Sequence, residues 1–197
     1  LGSLPAKGAN PNSKKVTFFK KGVINNDFTR KMETPKADAN MVWFSEDIPY
    51  TTENAIKASI AGQILSMVYL KKIREDASAA YTCGAAGSAS IDDKDHNVTL
   101  FAYCPMKPEK ADLALQIMRD EVTNLSKQCD PSMLAKVKEY MVKEADNEAK
   151  TNGYWAGVIS TWYRYGIDLH TDYKALVAKQ TPESISNFVK EILKAGN

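Results

Sequence analysis

Ala79-Ala80-Tyr81-Thr82-Cys83-Gly84-Ala85-Ala86-Gly87-Ser88-Ala89, followed by Asn97-Val98-Thr99-Leu100-Phe101-Ala102-Tyr103, is the stretch whose reading decides the fold. The first run is small, flat and extended. The second is β-branched and aromatic, the composition of a strand. Asp92-Asp93-Lys94-Asp95 between them reads as a polar loop, which makes the two runs a hairpin. Upstream, Ile56, Ile60, Ala61, Ile64, Leu65, Val68 and Ile73 recur mostly three and four residues apart, so residues 52–75 predict a helix with one buried stripe. That helix ends in Lys71-Lys72-Ile73-Arg74, where positive charge suits the C-terminal end of the dipole. Helix, long strand, hairpin and return strand form one unit, and the remaining segments supply its cover.

Outward from this unit, residues 1–26 are rich in Gly, Pro, Asn, Ser and Lys and read as a connector, with one edge strand at Val16-Thr17-Phe18-Phe19. Residues 27–33 alternate weakly, and residues 39–45 carry Met41-Val42-Trp43-Phe44. With Pro35-Lys36-Ala37-Asp38 between them, they predict two strands joined by a turn. Pro49 stops the second strand, and Thr51 or Thr52 caps the central helix. Beyond the hairpin, Pro105 and Pro108 mark a break before a helix over residues 108–127. Asp130-Pro131 is a capping carboxylate followed by proline, opening a largely exposed helix to residue 149 with a thin stripe of Leu134, Val137, Met141 and Ala145. Gly153 breaks that pattern, and residues 154–169 form an aromatic-rich helical stretch. Thr181-Pro182 repeats the cap for a last helix. Strands in the first half and helices in the second predict an α+β fold, an antiparallel β-sheet covered on one face by helices.

Composition narrows the function classes. With 197 residues, 44% apolar and 25% charged, the chain is an ordinary soluble globular one, and a net charge of +2 demands neither nucleic acid nor an acidic membrane surface. No apolar run reaches the roughly eighteen residues of a transmembrane helix. Leu1-Gly2-Ser3-Leu4-Pro5 looks like the interior of a longer protein, so the chain reads as a slice of a parent. Cys83, Cys104 and Cys129 are too few and too scattered for a disulfide framework or a paired-cysteine zinc site. A hairpin centred near Asp93-Lys94 sets Cys83 opposite Cys104, which opens a cross-strand disulfide to them in an oxidising compartment. Burial as two free thiols is the better-supported reading.

His96 and His170 have no metal-ligand spacing and read as surface residues. Neither orientation of the zincin pair is present, nor a nucleophile elbow. Gly84-Ala85-Ala86-Gly87 lacks a phosphate-loop lysine, and Asp92, Asp93 and Asp95 lack the rest of a calcium loop. One pair stands out. Arg74 at the helix end and Tyr81 at the strand start lie seven apart, a spacing that can bring a guanidinium and a phenol to one sheet edge. Both could donate to a peptide carbonyl or a developing oxyanion. The local sequence alone favours a solvated arginine and a packed tyrosine.

The core Leu70-Lys71-Lys72-Ile73-Arg74-Glu75-Asp76-Ala77-Ser78-Ala79-Ala80-Tyr81-Thr82-Cys83-Gly84 resembles the L-x-x-(I/L)-R-E-x-x-x-x-x-Y-x-x-G signature of the pitrilysin/insulinase family of zinc metallopeptidases, found in their C-terminal, metal-free domains. The resemblance implies a metalloprotease or mitochondrial-processing-peptidase-like domain over residues 27–197, with residues 1–26 connecting it to a preceding domain. In such proteins paired homologous domains enclose a peptide chamber. The resemblance therefore implies that zinc lies in the missing partner domain, on the same chain or a partner subunit, and that this part alone is inert. For Arg74 and Tyr81 it implies supporting catalytic contacts to the substrate backbone and the transition state. It further implies a peptide substrate and a periplasmic setting. A second expectation is a non-catalytic scaffold or peptide-binding subunit that keeps the same fold; an intact Arg74–Tyr81 pair favours the first.

Overall fold

A computed structural model of the chain describes residues 20–91 and 98–196. The strand expected at residues 16–19, the polar loop at residues 92–95 and His96 lie outside the described residues. The helix and both strands of the central unit form in the order read. Strand β1 (Ala37–Ser45) is followed by helix α1 (Thr52–Tyr69) and a π-helical turn (Leu70–Asp76), then by strands β2 (Gly84–Ala89) and β3 (Val98–Met106). The strands form an antiparallel sheet in the order β1-β3-β2. Helices cover one of its faces, so the fold is α+β.

The pleat of β3 explains the layering. Val98, Leu100, Ala102, Cys104 and Met106 point into the core, while Phe101 and Tyr103 point away and stay exposed. Against the inner face, α1 lies along β2 at unusually close range. A Cβ on Gly62 would stand 2.3 Å from the Gly87 nitrogen, and one on Gly87 would stand 1.9 Å from the Ala58 carbonyl oxygen. Only glycine allows that approach. Ile56, Ile60, Ala61, Ile64 and Leu65 are buried as the helical period requires, and Ala58 and Tyr69 join them; Val68 is only half-buried. Tyr69 donates from Oη to the Met118 carbonyl at 2.9 Å, tying the end of α1 to the next helix.

That helix, α2 (Ala111–Lys127), follows a 3-10 turn at Pro108–Lys110. Helix α3 (Pro131–Glu148) starts where expected, with Asp130 Oδ1 accepting from the backbone N–H of Ser132 at 2.7 Å and of Met133 at 3.3 Å. Only Leu134, Val137 and Met141 of α3 are buried. Helix α4 (Asn152–Tyr165) is capped by Thr151 and ended by Gly166 at φ 68°; none of its residues is buried. A short α5 (Tyr173–Ala178) and α6 (Pro182–Lys194) close the chain, the latter opened by the expected Thr181 cap as a capping box with Ser184.

Several boundaries differ from the expectation. No strand forms at residues 27–33: Phe28 is 88% and Met32 47% exposed, so the weak alternation there finds no core to face. The strand β1 instead begins inside the expected turn, at Ala37. The extended run after the helix is strand only from Gly84, because residues 77–83 turn through Ser78 at φ 49°. Pro105 lies within β3 rather than after it. It pairs with Asp38 of β1 at a level where β2 no longer runs alongside, so the proline disturbs one ladder only. The break before α4 falls at Thr151, with Gly153 inside the helix, and α4 ends at Tyr165 rather than near 169 because Gly166 caps it.

Candidate functional site

Arg74 and Tyr81 are brought together. The π-helical turn carrying Arg74 is held from below by buried Ile73 and from the side by Lys72, whose Nζ lies 2.7 Å from Glu121 Oε1 on α2. From the turn the chain drops into the core at Ala79 and Ala80, where the Lys107 N–H donates to the Ala79 carbonyl at 3.1 Å. It emerges at Tyr81, which is 86% exposed, and is buried again at Cys83. Two anchored points thus project one tyrosine outward. The Arg74 guanidinium carbon sits over its ring, 5.5 Å from the centroid. This is a cation–π arrangement that holds a planar fork of donors beside a phenolic hydroxyl. The expected packing of the tyrosine in a strand does not occur.

Three residues beyond Tyr81 begins β2, and the face of the sheet that the helices leave uncovered is apolar. Phe101 and Tyr103 stack there with centroids 6.3 Å apart, and Val42 of β1 stands across from Phe101. Tyr103 lies over Gly84, its cross-strand partner, where a Cβ would meet the ring at 3.0 Å. This apolar face was not among the expected site residues. Its signal was present in β3, whose two alternating sets of side chains are both apolar. The small residues of β2 serve the close approach of α1 at Gly87.

Among the described residues no group of three or more His, Cys, Asp or Glu side chains could hold a metal, and no helix is long and apolar enough to cross a membrane. His170 is exposed; its Nδ1 and Tyr154 Oη share a hydrogen bond of 2.8 Å, and its ring lies 4.7 Å from that of Trp155. It belongs to a surface clamp after α4, well within the expected role.

Comparison with known proteins places this architecture. The fold is similar to the periplasmic protease PqqL from Escherichia coli, with a TM-score of 0.67 at 19% identity over 81% of this chain and 18% of that one. It is similar to the peptidase M16 inactive domain from Pseudomonas fluorescens, at 0.64 and 14% over 78% and 38%. A protease from Helicobacter pylori gives 0.64 and 12% over 79% and 38%. At these identities the likeness concerns the fold alone, and the chain spans well under half the length of each of the three. No curated protein matches it. The family model for the peptidase M16 inactive domain, in contrast, matches residues 1–141, a span that includes Arg74 and Tyr81. The chain therefore belongs to the peptidase M16 inactive-domain family.

Proposed function

We propose that this domain is the non-zinc half of a zinc-dependent endopeptidase of the pitrilysin/insulinase type, forming one wall of the peptide chamber and inert alone. The observation that carries the reading is the placement of the Arg74 guanidinium 5.5 Å from the Tyr81 ring centroid on an exposed rim. Donors held in place before the substrate arrives need no reorganisation when charge builds on a carbonyl oxygen. Arg74 and Tyr81 would then donate to the substrate carbonyl, and the uncovered face with Phe101 and Tyr103 would line the chamber. The described donor set does not fit zinc; zinc is assigned to the homologous partner domain, and no step here runs through it. Residues 1–26 would connect to that preceding domain. The periplasm is the proposed compartment, as it is for the similar periplasmic protease PqqL.

One observation supports a scaffold reading: α4 presents Ile159, Trp162 and Tyr163 to solvent at 53%, 56% and 85% exposure. Exposed aromatic clusters of this kind mark protein contacts. The test uses the parent protein with its zinc-bearing part. Tyr81→Phe and Arg74→Ala should each lower turnover of a quenched unstructured peptide on the order of a hundredfold, with an unchanged thermal melt. Unchanged turnover returns both residues to structural duty. A wild-type parent lacking both activity and bound zinc would favour the scaffold.

A further inference from the structure

Two residues after Tyr81 stands Cys83, which with Cys104 of β3 makes a pair of thiols that the proposed chemistry does not use. Gly84 pairs with Tyr103, and one further step along the antiparallel ladder sets Cys83 opposite Cys104. Opposed residues in such a ladder have Cα atoms about 4.5 or 5.5 Å apart, according to whether they exchange backbone hydrogen bonds. Both separations lie within the roughly 4.4–6.8 Å that a disulfide spans. The two side chains point into the same core, 3% and 1% exposed, as free thiols close enough for each to shift the other's ionisation. Cys129 lies elsewhere, with its thiol donating to the Asp130 carbonyl.

We propose that Cys83 and Cys104 form a reversible redox latch, closed by a low-molecular-weight disulfide, that fastens the Tyr81 segment to β3. Cys83 reacts first. It closes the irregular residues 77–83 just ahead of the edge strand β2, so local opening there exposes it before Cys104, which lies on the central strand β3. Burial raises the Cys83 thiol while the Arg74 guanidinium pulls it down; Cys104, buried beside it, is pushed up to about 11. The Cys83 thiolate, its proton passed to water, attacks one sulfur of the small disulfide and expels one thiolate. Cys104 then loses its proton and attacks the Cys83 sulfur of the mixed disulfide, expelling the second. Two protein thiols are oxidised to one disulfide, one small disulfide is reduced to two thiols, and the two protons end on the leaving thiolates. Any effect on turnover rests on the role proposed for Tyr81; the latch itself does not.

The test is to hold the folded chain in mixtures of reduced and oxidised glutathione, quench with acid, alkylate under denaturing conditions and read peptide masses. At the oxidised end, two of the three cysteines should lose their alkylation as one Cys83–Cys104 bridge, restored by dithiothreitol, while Cys129 stays alkylated. Cys104→Ala should abolish the bridge and leave Cys83 carrying glutathione. If circular dichroism shows that variant unfolded, Cys83→Ala takes its place, with Cys104 expected to stay alkylatable. A folded wild-type chain with all three thiols alkylated throughout, or bridged through Cys129, overturns the latch. In the parent, a bridge that forms without changing turnover, where Tyr81→Phe does change it, overturns the coupling to Tyr81. A bridge that forms where Tyr81→Phe has no effect leaves the latch standing and removes the proposed catalytic role.

Discussion

Gly62 of α1 and Gly87 of β2 meet backbone to backbone: a Cβ on the first would lie 2.3 Å from the nitrogen of the second. The contact sets the height of α1 above the sheet. It thereby fixes the level at which the π-helical turn hands the chain to Tyr81. Gly62→Ala or Gly87→Ala would push the helix off the strand. Each should destabilise by about 3 kcal/mol or more, read as a lowered urea midpoint. Gly157→Ala is the contrast. It sits inside α4 with nothing within 4 Å of the added carbon, and should stabilise by about 0.5–1 kcal/mol. Equal effects at the two kinds of site would refute the close approach.

Glu53, in the first turn of α1, joins the N-terminal end of that helix to the segment between α5 and α6. Its carboxylate lies 2.7 Å from Lys179 Nζ and 3.2 Å from Lys57 Nζ, and accepts from Gln180 Nε2 at 3.3 Å. These contacts, Lys179 foremost, hold its carboxyl down at about 2 against an ordinary 4.5. Because the folded value is the depressed one, the contribution to stability is full above the ordinary value and fades as pH falls toward 2. The difference in melting temperature between wild type and Glu53→Gln should therefore be largest above pH 5 and shrink toward pH 2. A difference independent of pH would show that the charge contributes nothing.

Ser186 on α6 is 6% exposed, and its hydroxyl finds no partner among the described residues. A buried hydroxyl without a partner loses its hydration for no return. Ser186→Ala keeps the backbone, favours the helix and removes the polar atom, so it should stabilise by about 1 kcal/mol. Calorimetry would show a rise of about 2–4 °C for a chain of this size. A fall would mean that the hydroxyl is satisfied.

Tyr69→Phe deletes the bond from its hydroxyl to the Met118 carbonyl while leaving the ring in the core. The expected loss is about 1 kcal/mol, measured by denaturant unfolding. Since Tyr69 immediately precedes the π-helical turn, hydrogen exchange should quicken at Leu70–Asp76 before it does elsewhere in the core.

What could be read from residues alone was what is local. The starts at Asp130-Pro131 and Thr181-Pro182 are each complete within four residues, and both helices begin there. The Arg74–Tyr81 pair stands out by its seven-residue spacing, but the local sequence favours a solvated arginine and a packed tyrosine. Only the family resemblance gives the pair weight, because the turn through Ser78 that carries Tyr81 outward leaves no local pattern. Features set by distant neighbours were not legible. Residues 27–33 alternate, but a strand needs a partner and a core. Pro105 reads as a stop until the register shows that β2 ends short of it. The six residues of α5 are too few to show a period. The uncovered sheet face appears only when β3 is known to be the middle strand, since the same alternating residues would read as doubly buried in a covered sheet.

The absence of any buried residue in α4 has a spectroscopic consequence. Of the three tryptophans, Trp43 lies half-buried in β1, while Trp155 and Trp162 stand 39% and 56% exposed on α4. The intrinsic emission of this domain is therefore weighted toward water rather than toward its own interior. Seating a partner over α4 would shift that emission to the blue with no change in fold, so the chain carries its own optical reporter of whatever covers that helix.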